Sequence, residues 1–368
     1  MPELTSITVK GFKSIASIED LRLGAMNLLI GPNGYGKSNF IEVFTFLRAI
    51  RKRRLQEYVA KAGGANKVLH FGARVTETLE LSVSFRPDGN SYKIEIQVTD
   101  VDELVPRREV AYFSGTESDV PPFPDELRRI GKEAGISQPT PNDAKNYFQF
   151  HLDNWRVFHF HDTSSSSPVK RTANLNDNRR LRPDGSNLPA FLYMLRKNHE
   201  DSYNLIVRTV RQVAPFFEDF VLDPQELSSD TIRMEWSHVG TDVYFDVSSM
   251  SDGTLRFIAL ATLFLQPERF RPSVILVDEP ELGLHPSAIT LLASLMRSAS
   301  VETQVIVSTQ SSLLLDHFDP EDVLVADRIG GGTLLTRLDP SKLKSWLEDY
   351  SLGELWEKNG LGGRPRSE

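Results

Sequence analysis

The chain has 368 residues, 40% of them hydrophobic and 25% charged, with a formal net charge of −8. This balance suits an ordered protein of two or three average domains, or one large α/β domain with an insertion. It argues against a uniformly basic nucleic-acid binder but not against a local basic patch, since exposed charges are screened over roughly 10 Å at 0.1 M salt. The absence of cysteine removes disulfides, thiolate catalysis and cysteine-ligated zinc. With no apolar run near the roughly 20 residues of a membrane span, and no leader pattern at Met1-Pro2-Glu3-Leu4-Thr5, a cytoplasmic protein with no membrane partner is expected.

Leu4 to Lys10 alternates as a strand, and Gly11-Phe12-Lys13-Ser14-Ile15 turns it toward a second. Met26 to Ile30 is a short buried strand, followed by Gly31-Pro32-Asn33-Gly34-Tyr35-Gly36-Lys37-Ser38 and then a helix opening at Asn39. Strand, glycine loop and helix are the setting of a phosphate-binding loop. Its glycines let backbone N–H groups turn around phosphate oxygens, Lys37 reaches the β- and γ-phosphates, and Ser38 offers a hydroxyl to Mg²⁺. The helix is expected to run on through Arg51-Lys52-Arg53-Arg54. Four basic residues there read first as a solvated face, with a nucleic-acid phosphate contact as the alternative.

Gly63-Gly64 ends that helical stretch. Thr78 to Arg86 and Ser91 to Val98 then alternate around Pro87-Asp88-Gly89-Asn90 as a hairpin, to which Glu109 to Phe113 adds a third strand. Residues 115 to 145, rich in Pro, Gly and acidic side chains, predict a loose connection with one short helix. Trp155 to His161 reads as a strand ending in His159-Phe160-His161-Asp162, before Thr163 and a run of serines at 164–167 read as a loop. The two histidines and Asp162 could ligate a metal, although packing and hydrogen bonding are the commoner use of such a cluster. Arg179-Arg180-Leu181-Arg182 makes a second basic cluster, Leu188 to Phe217 is helical, and 219–247 returns to short strands.

Val274-Ile275-Leu276-Val277-Asp278-Glu279 reads as a strand buried on both faces, which delivers two carboxylates to the carboxyl edge of a parallel sheet. Asp278 is placed to hold Mg²⁺, directly or through water, and Glu279 to polarise an attacking water. About 20 residues upstream, Ser251-Asp252-Gly253-Thr254 opens an apolar helix, a turn that aims N–H groups at an anion or simply caps the helix. Gln304 to Ser308 forms the next buried strand and leads into Thr309-Gln310-Ser311-Ser312.

From its first strand to about residue 328, the chain resembles the ABC-type ATPases of the SMC, RecF and overcoming-lysogenization-defect group. Gly31 to Ser38 is similar to the Walker A motif, Ser251 to Thr254 to the signature motif, Val274 to Glu279 to Walker B with its catalytic glutamate, and Pro280 to Pro286 to the D-loop. The resemblance implies an α/β P-loop ATPase head with mixed parallel and antiparallel sheet. Residues 1–162 and 237–340 would form the ATPase lobe, 163–236 an inserted helical lobe, and 341–368 a helical tail. It implies ATP and Mg²⁺ as cofactors. ATP would be bound by Asn33, Gly34, Gly36, Lys37, Ser38 and Asn39 of one head and by Ser251 and Gly253 of a second, with the metal on Ser38 and Asp278. Glu279 would be catalytic. Gln310 would stand where the family more often has a histidine switch for the γ-phosphate, and so turnover is expected to be slow.

The usual Q-loop glutamine is not evident, and His161-Asp162 holds the nearest position. No heptad run suggests SMC-type arms, and the chain ends before a Toprim nuclease domain would fit. The expectation is therefore a compact RecF-like ATPase that dimerises through ATP and controls a partner effector or a DNA transaction, with anti-phage defence as the expected setting. The alternatives are a RecF-like repair ATPase binding DNA directly and, third, a transporter ATPase subunit. The transporter is disfavoured by Lys10-Gly11-Phe12-Lys13-Ser14, by the unusual signature, and by the separation of about 210 residues between Walker A and signature. A GTPase would need Asn-Lys-x-Asp, and Asn66-Lys67-Val68-Leu69 lacks the aspartate.

Overall fold

A computed structural model describes residues 4–86, 89–114, 123–139, 143–162, 164, 166–225 and 227–363. Pro87 and Asp88 of the expected hairpin turn, residues 115–122 and 140–142 of the expected loose connection, and Thr163 and Ser165 of the serine loop lie outside the described residues.

Among the described residues, two six-stranded sheets organise the chain. The first is antiparallel and grows by neighbour-to-neighbour pairing. It runs Ile15–Arg22, Leu4–Phe12, Thr78–Phe85, Asn90–Val98, Leu104–Phe113, Phe123–Glu126. Its third strand starts at Leu104, five residues earlier than the alternation suggested, because the exposed Arg107 and Arg108 interrupt the period-two pattern at a register shift in the ladder, where Arg108 pairs with Glu95 and Pro106 with Ile96. The second sheet carries the site. Its order is Gly332–Arg337, Val323–Ile329, Met26–Ile30, Gln304–Thr309, Val274–Asp278, Trp155–Phe158, and all but the Gly332–Arg337 edge strand run parallel.

Alternate residues of these parallel strands enter two separate cores, as expected for a sheet covered on both sides. Leu29, Leu276, Ile306 and Leu324 face the antiparallel sheet and the helix Lys37–Arg51, which lies between the sheets and supplies Phe40, Phe44, Leu47 and Ile50. Leu28, Ile30, Ile275, Val277, Val305 and Val307 face the other way. There they meet the helices Leu188–Asn198, Glu200–Val213, Asp252–Leu265 and Pro286–Ser300. No helix among the described residues is long and apolar enough to cross a membrane.

Three helical expectations are revised. The first helix does not run through the basic quartet: it ends at Arg51, Arg53 takes φ 58°, and a second helix starts at Leu55. The stretch from Leu188 is two helices divided at His199, the second ending at Val213. The short helix expected within 115–145 starts only at Asp143 and runs to Asn154, the connection itself contributes the sheet strand Phe123–Glu126, and the strand Trp155–Phe158 that the helix abuts is shorter than expected, so that His159 to Asp162 lie beyond its end.

Candidate functional site

The carboxyl ends of four parallel strands meet at one edge. Register sets Ile30 opposite Thr309, Ser308 opposite Asp278, and Val277 opposite Phe158, so the glycine loop, Gln310, Glu279 and His159 all leave the sheet on the same side. This is the edge at which doubly wound sheets bind ligands.

Gly34 and Gly36 both take left-handed conformations (φ 81° and 91°), and Gly36 precedes the helix Lys37–Arg51, whose first turn has neither a side-chain cap nor an acidic residue. The first-turn N–H groups are left as donors for an anion. A Cβ at Gly36 would stand 2.0 Å from Thr333 Oγ1 and 2.6 Å from Ser14 Oγ. Those two hydroxyls share a hydrogen bond (2.7 Å), and Asn39 Nδ2 donates to Ser14 Oγ (2.7 Å), so the back of the loop is braced by residues from both sheets. Lys37 is 4% exposed, and its Nζ donates to the carbonyls of Gly31 (2.6 Å) and Pro32 (3.1 Å). Burial pulls the lysine's pKa down, opposed by the charges of Glu279, Asp278 and Glu281. A buried ammonium held by carbonyls, beside an uncapped helix end, fits a polyphosphate. Ser38, exposed in the same first turn, and Asp278 offer the oxygen ligands a phosphate-bound Mg²⁺ takes.

Asp278 accepts a hydrogen bond from Ser308 Oγ. Glu279 takes φ 41°, a left-handed conformation unusual for a residue with a side chain, and its N–H donates to Ser308 O at 2.9 Å. Gln310 Nε2 donates both to Glu279 Oε1 and to Asn33 Oδ1 (2.6 Å), tying the glycine loop to the acidic strand. Sequence reasoning missed Glu281, which is 8% exposed. It accepts from Thr309 Oγ1 and from the Gln310 N–H (3.2 Å) and so fixes the segment after Glu279 against the strand before Gln310. Burial pushes its carboxyl up from the ordinary range against those bonds.

The signature-like turn lies on the helix Asp252–Leu265. Ser251 caps it, accepting from the Thr254 N–H (3.2 Å), and is exposed; no hydrogen bond joins it to the glycine loop among the described residues. Gly253 has a second reason to be glycine: a Cβ there would lie 2.3 Å from the carbonyl oxygen of Gly283, which takes φ 74°. The buried Arg256 donates to the carbonyls of Phe160 (3.0 Å) and His161 (3.0 Å) and so anchors the segment after Trp155–Phe158 to this helix.

The histidine cluster, read first as packing and hydrogen bonding with metal ligation as the alternative, differs in one member. Donor atoms of His159, His161 and Asp278, not Asp162, lie within 4.8 Å of one another, while the Asp162 carboxylate accepts from the Ser164 N–H (3.1 Å) and hydroxyl (2.7 Å). In the basic quartet, Arg51 and Lys52 both pair with Asp153 (3.0 and 2.8 Å), and Arg54 lies 3.7 Å from Glu57.

Residues 26–316 match the family described as "AAA domain, putative AbiEii toxin, Type IV TA system". Over 132 residues the chain is 28% identical to the Old nuclease of Escherichia phage P2, an alignment that covers 33% of this chain and 22% of that protein. The chain thus spans about a fifth of that relative's length. Among solved structures it is similar to an Smc head bound to the C-winged helix domain of ScpA, with a TM-score of 0.61 at 16% identity over 94% of this chain and all of that one. It is also similar to an Smc head with an extended coiled coil bound to the C-terminal domain of ScpA derived from Pyrococcus furiosus, with a TM-score of 0.58 at 15% identity over 95% and 99%. The chain therefore belongs to this AAA-domain family and is a P-loop ATPase built on the SMC-head fold.

Proposed function

We propose that the chain is an ATP-gated head that closes on a second copy of itself and controls a partner. In each head Lys37 and the loop N–H groups of Asn33 to Asn39 would hold the phosphates of ATP, and Ser38 and Asp278 the Mg²⁺. The bound metal would neutralise charge on the phosphates. Glu279 would take the proton of the attacking water, and Gln310, already bonded to Glu279 and Asn33, would position that carboxylate relative to the loop. Lacking a proton to shuttle, Gln310 makes slow turnover the expected behaviour.

The observation that carries the reading is the division of the site. Walker A and Walker B residues meet at one sheet edge, whereas Ser251 is exposed, bonded to its own helix, and packed through Gly253 onto Gly283. A twofold axis would give each signature turn the other head's γ-phosphate, in a self-complementary interface. Light scattering tests this. Glu279→Gln should associate on addition of ATP and Mg²⁺, and adding Ser251→Arg should abolish association while ATP binding to the single chain persists. Failure of Glu279→Gln to assemble, or of Ser251→Arg to prevent it, would sink the dimer.

The partner is proposed to be a protein effector in the cytosol, with a defence role. Support comes from the phage nuclease relative, the family description, and the ScpA complexes of the fold neighbours. Direct DNA binding stands second because three of the four basic residues at 51–54 face carboxylates of this chain.

A further inference from the structure

We propose that His159, His161 and Asp278 form a divalent-metal site with two nitrogen donors, selective for ions such as Mn²⁺, Co²⁺ or Zn²⁺ over Mg²⁺. The inference deepens the nucleotide-site reading through the shared residue Asp278, but its first arm needs no nucleotide. It begins with register. Trp155–Phe158 pairs in parallel with the acidic strand, Phe158 opposite Val277, so the next rung sets His159 beside Asp278. His161 follows at a spacing of two, and the three donor atoms come within 4.8 Å of one another, close enough for side-chain rotation to bring them around one ion.

Two further features suit a ligand set. His161 Nδ1 is shielded from solvent and has no hydrogen-bond partner among the described residues, while the His161 carbonyl is held by Arg256 (3.0 Å), so the backbone that presents the ring is anchored from a buried guanidinium. Asp278 receives the Ser308 hydroxyl on one oxygen, an outer contact of the kind that orients a ligating carboxylate. Mg²⁺ takes oxygen ligands in a strict octahedron, whereas imidazole nitrogen suits the later divalent ions. Two imidazoles beside one carboxylate therefore invert the preference that a site built only from carboxylate, hydroxyl and water would have.

The test uses the full chain, stripped of metal by chelation and without nucleotide, titrated with Mn²⁺ alone and followed by loss of the free-ion electron paramagnetic resonance signal. Mn²⁺ should be retained against a tenfold excess of Mg²⁺, and pulsed measurements on the bound ion should show coupling to imidazole ¹⁴N. The double variant His159→Ala/His161→Gln, checked for folding by circular dichroism, should weaken Mn²⁺ binding by about tenfold or more and lose the nitrogen coupling. Displacement of Mn²⁺ by equimolar Mg²⁺, bound Mn²⁺ without ¹⁴N coupling, no bound Mn²⁺, or unchanged binding in the folded double variant would each overturn the proposal. The ¹⁴N reading on the wild-type chain does not depend on how the variant folds. A negative result there leaves the ATP-dependent scattering experiment free to succeed, so the two readings fail separately.

Discussion

Gly253→Ala tests together the close packing of the signature-like turn and the interface role proposed for it. The added methyl would lie 2.3 Å from the Gly283 oxygen and 3.3 Å from its carbonyl carbon, so that oxygen must retreat by about 1 Å to reach ordinary contact. Both sides of the clash are backbone, and Gly283 is fixed at φ 74°, so no rotamer change relieves it. Overpacking of this kind costs about 1–3 kcal/mol. Alanine's better helix propensity returns at most about 1 kcal/mol, leaving a net loss of about 0–2 kcal/mol and a melting point lower by up to a few degrees. The larger effect is expected on association, since the segment that must move, Gly283-Leu284, packs beside the turn that would face the second head. In a Glu279→Gln background, Gly253→Ala should keep nucleotide affinity within about twofold, because no Walker A residue moves, and should lose ATP-dependent light scattering. A melting point above the parent's would refute the close packing, and association equal to the parent's would refute the turn's part in the interface.

Lys37→Ala should lose most nucleotide affinity by deleting the buried ammonium, whereas Glu279→Gln should bind ATP as the wild type does and fail to hydrolyse it, measured by nucleotide titration and phosphate release. Equal hydrolysis by Glu279→Gln and wild type would remove Glu279 from the chemistry. Glu281 gives a pH signature. Burial raises its folded pKa, so its contribution to stability is full below its unfolded value of 4.5 and is lost as pH rises through the folded value. The urea midpoint of the wild type should therefore fall relative to that of Glu281→Gln as pH rises above 4.5. Parallel midpoints would show that Glu281 is not desolvated.

The glycine loop and the strand Val274–Asp278 were readable because their signals are local: strand, punctuation and helix follow one another within about twenty residues. What escaped depends on partners far along the chain. Asp162 looked like the third member of the histidine cluster by adjacency, but parallel pairing of Trp155–Phe158 with Val274–Asp278 brings Asp278 there instead. Arg51 and Lys52 looked solvated or DNA-facing, and their partner Asp153 is about a hundred residues away. The helix breaks at Arg53 and His199 involve neither glycine nor proline, so no residue type announced them. Glu281 gave no hint of burial, because what encloses it is Thr309 and Gln310 from a strand reached only after the helix Pro286–Ser300.

The central place of Met26–Ile30 also governs the order in which the molecule can be made. The antiparallel sheet is complete by residue 126 and forms from strands adjacent in sequence, except where Leu4–Phe12 pairs with Thr78–Phe85. Met26–Ile30 has all five residues buried, yet both its neighbours, Gln304–Thr309 and Val323–Ile329, lie about 280 residues or more downstream. At a synthesis rate of roughly 5–20 residues per second, this apolar segment waits about 15–55 s on the ribosome before either partner strand exists. During that interval Leu28, Leu29 and Ile30 have no sheet to enter, and the loop they lead into has no acidic strand beside it. Nucleotide affinity should therefore appear only after the last parallel strand has been added, which makes ATP retention by the nascent chain a direct readout of completed folding.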